Sequence, residues 1–159
     1  MLIRPARAAD AEEAASVLRR SICDLCLSDH CGDAQILAQW LANKTPENVL
    51  AWIKAPDRFI VVAEENGAIV GVGGASHAGE ITLNYVAPEA RFRGISKALL
   101  KSLEAYLSLL GCERATLAST KAARPFYLAL GYQDGEAPGA AGGLAGLPMW
   151  KSLGPKERG

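Results

Sequence analysis

The spacing of apolar and polar residues predicts a first strand followed by three helices. Leu2 to Pro5 predicts the strand, and Asp10 is placed to cap a helix. The apolar residues of that helix recur every three or four positions and share one side: Ala14, Val17, Leu18, Ile22 and Leu25. Asp33 and Thr45 precede two further helical stretches, and Pro56 ends the second of them.

The middle of the chain has the pattern of a hairpin followed by one more strand. Two runs rich in Val and Ile, Arg58 to Glu65 and Ala68 to Ser76, are separated by Asn66-Gly67. This pair of residues is typical of a two-residue turn between antiparallel strands. Glu80 to Ala87 predicts the next strand.

The second half alternates helices and strands. An apolar stripe from Ile95 to Leu110 predicts a long helix that Gly111 ends, and Glu113 to Ser119 predicts a strand. The remaining predicted segments are a helix at Ala122 to Leu130, strands from Tyr132 and at Leu147 to Leu153, a loop at Gly135 to Gly146, and a frayed tail at 154–159. We therefore expect a single α/β (α+β) domain over residues 2–153.

Composition narrows the classes of partner. The chain has 159 residues, half of them hydrophobic, with 17 basic and 17 acidic side chains. This length supports one core, and the balanced charge does not favour nucleic acid or a membrane surface as partner. The chain has no apolar run long enough to span a bilayer, and Met1 to Pro5 lacks the layout of a signal peptide. A cytoplasmic protein is therefore the expectation.

The four cysteines are expected to be thiols. They are Cys23, Cys26, Cys31 and Cys112, too few and too clustered for a secreted disulfide framework. Cys23-x-x-Cys26 followed by His30-Cys31 leaves zinc as an alternative, but a second, spaced pair of ligands is lacking. We expect no metal.

A basic glycine turn is the main candidate binding site. Arg91, Arg93 and Lys97 surround Gly94 where a strand leads into the long helix, and a helix start attracts anions.

Other known phosphate-binding motifs do not fit this sequence. The mononucleotide loop is absent, and the glycines between Gly71 and Ser76 lie in a predicted strand, whereas a dinucleotide fingerprint opens a helix. A serine-hydrolase elbow is also absent.

Two motifs in order resemble the GCN5-related N-acetyltransferase (GNAT) family. Arg91-Phe92-Arg93-Gly94-Ile95-Ser96 fits the signature Gln/Arg-x-x-Gly-x-Gly/Ala except at Ser96. Later, Ala123, Phe126 and Tyr127 match Asn-x-x-Ala-x-x-Phe-Tyr, although Thr120 replaces the asparagine, and Leu130-Gly131-Tyr132 follows. The likeness extends from Leu2 to Leu153.

The resemblance implies a fold and a donor. It implies a central mixed, mostly antiparallel twisted sheet of about six to seven strands, with acetyl-CoA between two splayed parallel strands. The diphosphate would lie on the N–H groups from Arg93 to Lys97, and the pantetheine amides would pair with the strand end. The implied cofactor-binding residues are Tyr85, Val86, Ala87, Arg91, Phe92, Arg93, Gly94, Ile95, Ser96, Lys97, Thr120 and Phe126. We expect the Ser96 hydroxyl to donate to the diphosphate rather than clash with it.

Two side chains are expected to move protons. By the resemblance, Tyr127 is the acid that protonates the departing sulfur, although it could simply pack beside Phe126. Glu80 is the first candidate for the base, with an ordinary turn carboxylate as the alternative. Thr82 and Asn84 could orient a water on the same strand face, and His77 is a second candidate base.

These residues predict an acetyl-CoA-dependent N-acetyltransferase that works by direct attack of a primary amine. A non-catalytic acyl-CoA-binding or sensing module is the alternative, motivated by Ser96 and Thr120, and transfer of a longer acyl group is another. The acceptor would be a small-molecule or peptide amine. Three tryptophans suit either a core or a subunit interface and leave a homodimer open: Trp40, Trp52 and Trp150.

Overall fold

Two sheets form the centre of the molecule. The computed structural model describes residues 1–26, 31–135 and 146–154. One sheet has the order β1 (Leu2–Pro5), β2 (Arg58–Glu65), β3 (Ala68–Ser76) and β4 (Ile81–Val86). The other has the order β5 (Arg114–Ser119), β7 (Leu147–Ser152) and β6 (Gln133–Asp134). All neighbouring strands within each sheet are antiparallel, which confirms the predicted mixed α+β class.

Helices connect and cover these strands. Their bounds are α1 (Ala11–Leu25), α2 (Ala34–Leu41), α3 (Pro46–Lys54), α4 (Ile95–Leu109) and α5 (Arg124–Ala129). Short 3₁₀ turns lie at Ala8–Asp10 and Pro88–Ala90. Among the described residues, no helix is long and apolar enough to cross a membrane.

The two sheets meet where β4 and β5 begin. A single parallel bridge joins Glu80 to Thr116, and the Thr116 N–H donates to the Gly79 carbonyl at 2.9 Å. Gly79 has φ +96°, and a Cβ there would lie 3.0 Å from the Arg114 carbonyl oxygen, so this junction requires glycine. Beyond the bridge β4 and β5 form no ladder, which confirms the predicted splayed parallel strands.

Glycines in β3 let α4 approach the first sheet closely. A Cβ at Gly71 would lie 2.9 Å from Cγ2 of Ile95, and one at Gly73 would lie 3.2 Å from Cδ1 of Leu103. Every residue from Ile69 to Ala75 is buried, because α4 and α1 both pack on β3. These glycines are therefore packing residues, as expected from their position in a strand.

Helix starts follow the predicted caps at two positions and differ at a third. The Asp33 carboxylate accepts from the N–H groups of Gln35 and Ile36, and the Thr45 hydroxyl accepts from the Asn48 N–H. Asp10 precedes α1 without capping it. Its carboxylate accepts instead from the Arg7 N–H and pairs with the Arg4 guanidinium at 2.8 Å, because β1 brings Arg4 to the helix start.

Some expectations fall outside the described residues. They are most of the predicted Gly135 to Gly146 loop, His30 of the alternative zinc pattern, and the tail after Gly154. Within the described ranges, no three His, Cys, Asp or Glu side chains group in a way that could hold a metal ion.

Candidate active site

A cavity of about 330 Å³ occupies the gap between β4 and β5. Its walls come from β4, from the C-terminal half of β5, and from the segment that runs from Thr120 to Tyr127. Arg91 and Phe92 line it on the side of the basic turn. The predicted turn and the predicted acid therefore adjoin one cavity.

The register of β4 shows which backbone groups face this gap. The Ala87 N–H donates to the Val70 carbonyl at 2.8 Å, and the Ala87 carbonyl accepts from the Ala90 N–H. The direction of the backbone hydrogen bonds alternates from residue to residue along an antiparallel ladder. The backbone N–H and C=O groups of Tyr85 therefore also point toward β3, whereas those of Asn84 and Val86 point toward β5.

This alternation corrects two predicted backbone contacts, those of Tyr85 and Ala87. Ala87 cannot offer its N–H to a ligand, because that group is already bonded within the sheet. The backbone of Val86 suits the predicted role, and Asn84 joins it. Tyr85 lines the cavity, although its backbone N–H and C=O groups point toward β3.

The basic turn has the backbone of an anion site. Phe92 and Gly94 adopt left-handed conformations with φ of 67° and 80°. The first backbone bond of α4 runs from the Ala98 N–H to the Gly94 carbonyl, so the N–H groups of residues 95–97 precede the helical ladder. A Cβ at Gly94 would meet no described atom within 4 Å, which leaves open space in front of the turn.

The cations of the turn are not equivalent. Arg91 is exposed, and its guanidinium carbon lies 5.0 Å from the centre of the Phe92 ring, which is itself 92% exposed. Arg93 instead forms a close salt bridge with Glu65 at the end of β2. The carboxylate offsets part of the Arg93 charge, which sequence inspection did not anticipate. Lys97 is exposed.

Tyr127 is buried at the cavity wall with its hydroxyl in a defined contact. It is 6% exposed, and its oxygen accepts a hydrogen bond from the Asn84 side-chain amide at 3.1 Å. Its ring also packs edge-on against Phe126 and Tyr132, at centroid distances of 5.1 and 5.5 Å. Burial raises the pKa of Tyr127 to about 12, while the Asn84 contact acts in the opposite direction. The hydroxyl therefore carries its proton at neutral pH.

Ser96 departs from the expected contact. Its hydroxyl donates to Asn84 Oδ1 at 3.0 Å, because it lies at the start of α4, which packs on β4. Donation to a diphosphate would require this hydroxyl to turn away from Asn84, and that expectation stays a prediction.

Two other predicted cofactor residues have structural contacts. The Thr120 hydroxyl accepts from the Ala123 N–H at 3.1 Å, which stabilises the turn into α5, and Thr120 also lines the cavity. Phe126 is not among the lining residues and supports the Tyr127 ring from the side.

The candidate bases lie apart from the cavity. Glu80 is exposed and does not line it, and four residues, or about 13 Å of strand, separate Glu80 from Asn84. His77 is exposed and its ring nitrogen bonds the Tyr106 hydroxyl at 2.8 Å. Thr82 does line the cavity, and its buried hydroxyl oxygen has no hydrogen-bond partner among the described residues.

One wall of the cavity was not predicted from the sequence. Ser21, Leu25 and Cys26, at the end of α1, line it. Ser21 is a buried polar residue one turn before Leu25 on the apolar side of α1. A serine among apolar residues was the sequence signal that this part of α1 faces a cavity. Cys26 is a buried thiol, as expected.

The splayed strands, the left-handed basic turn and the buried tyrosine belong to the acetyltransferase class of enzyme, and a family comparison agrees. The sequence profile of the acetyltransferase (GNAT) domain matches residues 26–153. The chain belongs to the GNAT acetyltransferase family. A comparison with curated protein sequences gave no significant match.

Solved structures of similar fold span nearly the whole chain. A GCN5-related N-acetyltransferase from Rhodopseudomonas palustris is 23% identical, with a TM-score of 0.83 over 95% of this chain and 94% of that one. The PaiA N-acetyltransferase from Thermoplasma acidophilum, in complex with coenzyme A, is 20% identical, with a TM-score of 0.78 over 95% and 98%. An aminoglycoside 6'-N-acetyltransferase from Enterococcus faecium is 18% identical, with a TM-score of 0.67 over 99% and 100%. These similarities establish the fold.

Proposed function

We propose that the protein is an acetyl-CoA-dependent N-acetyltransferase that moves the acetyl group to a primary amine by direct attack. The observation that carries this proposal is the position of Tyr127 at the wall of the cavity between the splayed strands, with its hydroxyl bonded to Asn84. The coenzyme A complex of the similar Thermoplasma enzyme supports the choice of donor.

The described residues fit an acetyl-CoA molecule in two places. The outward N–H groups of residues 95–97, together with Arg91 and Lys97, suit the diphosphate. The backbone groups of Asn84 and Val86 along the unpaired edge suit the pantetheine amides, as an added strand would. Arg93 would contribute to the diphosphate site only in competition with its partner Glu65.

The same residues suit the transfer step. The amine nitrogen bonds to the thioester carbonyl carbon as the carbon–sulfur bond breaks, and an N–H from the β4 edge would stabilise charge on the carbonyl oxygen. Tyr127 gives its proton to the departing sulfur, and the phenolate regains a proton from solvent. The amine nitrogen loses its extra proton to water, so atoms and charges balance.

The group that removes a proton from the amine is less well defined than the acid Tyr127. An alkyl ammonium has a pKa near 10.4 and must lose a proton before it attacks. Glu80, the first candidate base from the sequence, would act only through intervening water, because it does not line the cavity. Water oriented by Thr82 and Asn84, which both line the cavity, is the alternative.

Thiol release from acetyl-CoA over a panel of peptides, polyamines, amino acids and aminoglycosides tests the proposal. With the best acceptor, Tyr127→Phe should lower kcat by about 100-fold, the lower range for loss of a general acid. Tyr106→Phe, which removes a hydroxyl outside the cavity, is the matched control and should keep its activity. Unchanged kcat in Tyr127→Phe would contradict the role of the acid.

The panel also separates the alternatives. Tight binding of acetyl-CoA with no turnover on any amine would favour the non-catalytic binding module. Faster turnover with a longer acyl-CoA than with acetyl-CoA would identify a different donor.

A further inference from the structure

We infer that Ser96 is a positioning residue for Tyr127. Its hydroxyl holds the Asn84 amide in the one orientation that leaves the Tyr127 proton available to the departing sulfur. The contacts are continuous, from Ser96 Oγ to Asn84 Oδ1 at 3.0 Å and from Asn84 Nδ2 to Tyr127 Oη at 3.1 Å. This inference rests on the proposed function.

The Asn84 amide lies between two hydroxyl groups, and its two orientations have opposite consequences. With Nδ2 toward Tyr127, the phenol oxygen accepts and its own proton can point elsewhere. With Oδ1 toward Tyr127, the phenol would donate its proton to Asn84 and could not give it to a sulfur atom. Only the first orientation is compatible with a tyrosine acid.

Ser96 favours the first orientation, because its proton then has Oδ1 as acceptor. With the amide reversed, Nδ2 would donate to Ser96 Oγ, and the serine proton would lose its one described acceptor. An alanine or glycine, the residues of the family signature at this position, has no hydroxyl to offer. Without the serine, Oδ1 would lose its donor and the phenol proton would become its best replacement. The serine that stands where the signature has alanine or glycine therefore acts on Tyr127, at the other end of this chain of hydrogen bonds.

The donated hydrogen bond also helps after proton transfer. When Tyr127 gives up its proton, a phenolate forms in a buried site, where charge is costly. The Asn84 N–H already points at that oxygen, so it stabilises the phenolate without reorganisation. This agrees with the direction in which the Asn84 contact shifts the Tyr127 pKa.

Steady-state kinetics with acetyl-CoA and the best amine of the panel provide the first test. Ser96→Ala should lower kcat by about 10-fold, part of the effect of a general acid, with KM for acetyl-CoA within about twofold of wild type. Ser96→Thr retains a hydroxyl and should recover most of kcat. Ser108→Ala removes an exposed serine from the same helix and is the matched control. A rise of about 10-fold in KM with kcat unchanged would instead assign Ser96 to diphosphate binding and overturn the inference.

Double variants distinguish the positioning role of Ser96 from a general structural role. In a Tyr127→Phe background, Ser96→Ala should cause no further loss of kcat, because both changes remove the same interaction. Asn84→Asp keeps an acceptor for Ser96 but cannot donate to Tyr127, so it should lower kcat as much as Tyr127→Phe does. Additive losses from Ser96→Ala and Tyr127→Phe would contradict the inference.

A measurement without turnover separates this inference from the proposed function. The Asn84 side-chain amide protons can be followed by ¹⁵N NMR, with the cross-peaks assigned from their loss in Asn84→Asp. Their exchange with solvent should quicken several-fold in Ser96→Ala and stay unchanged in Ser108→Ala. Unchanged exchange in Ser96→Ala would overturn the inference, whether or not any amine is acetylated.

Discussion

Asn84 shows how much depends on one side chain at the centre of this site. Its amide touches Ser96 on one side and Tyr127 on the other, and its backbone faces the gap between the sheets. The sequence suggested Asn84 only as a residue that could orient water. Its two actual partners lie 12 and 43 residues away, so no local pattern could have indicated them.

Replacement of Glu80 tests the base at the residue scale. A direct base is worth about 100-fold or more in rate, but Glu80 is exposed and outside the cavity lining. We therefore expect Glu80→Gln to change kcat/KM by less than about threefold. Rates measured from pH 6 to 9 with one amine provide the comparison. A loss of 100-fold that disappears at high pH would establish Glu80 as the base after all.

The raised pKa of Tyr127 predicts a change of stability in alkali. An unfolded tyrosine ionises near pH 10, whereas burial raises the pKa of Tyr127 to about 12 in the folded protein. Between these values the unfolded state binds fewer protons, so the free energy of unfolding falls as pH rises. The raised pKa of Tyr127 contributes on the order of 2 kcal/mol to the free energy of unfolding. This contribution is fully present below about pH 10 and is lost as the pH rises toward about 12.

Urea unfolding at pH 8 and at pH 10.5 measures this contribution. The loss of stability between the two should be smaller in Tyr127→Phe, which has no proton to lose, than in wild type. Tyr106→Phe controls for the general effect of losing a phenol. Equal losses in wild type and in Tyr127→Phe would contradict the raised pKa.

At the scale of elements, the position of the basic turn depends on the packing of α4 against β3. The turn begins α4, and Ile95 at its start lies over Gly71. An added Cβ at Gly71 would come within 2.9 Å of the Ile95 side chain and 3.0 Å of that of Leu99. Either these side chains or the helix must shift to relieve the contacts, and a shift of the helix would move the turn with it.

Gly71→Ala should therefore affect stability and donor binding together. We expect the free energy of unfolding to fall by about 1–3 kcal/mol, as in other overpacked cores, and the Kd for coenzyme A to rise. Denaturant unfolding and calorimetric titration measure the two effects. Gly135→Ala is the control, because its Cβ would have ordinary contacts at 3.5 Å. Lower stability with an unchanged Kd would show that the turn is independent of this packing.

Local signals predicted several elements well. The hairpin strands β2 and β3 have the predicted bounds, because Asn66 and Gly67 adopt the left-handed φ values of 52° and 80° that this turn needs. The predicted strand from Tyr132 shortens to Gln133–Asp134. Local pattern fails where a distant residue competes, as when Arg4 takes the Asp10 carboxylate or Glu65 takes Arg93.

Across the whole molecule, the two sheets share one hydrogen-bonded bridge among the described residues and then separate. The family motifs predicted this gap and its place in the chain. They did not predict that the end of α1 would close one side of it, since Ser21 and Leu25 reach it only through the packing of α1 on the sheet. The wall formed by α1 therefore depends on tertiary structure more than the walls formed by β4 and the basic turn do.

The alternating register of β4 makes the binding of acetyl-CoA visible in amide hydrogen exchange. The N–H groups of Asn84 and Val86 face the gap, whereas those of Leu83 and Tyr85 are bonded to β3. Acetyl-CoA should slow exchange at Asn84 and Val86 and change it little at Leu83 and Tyr85. Equal slowing at all four positions would indicate general rigidification of the strand instead.

The single bridge between Glu80 and Thr116 also has a consequence for the width of the gap. Among the described residues, β4 and β5 share backbone bonding only at this end, so the gap could widen at its other end without breaking a hydrogen bond between the two strands.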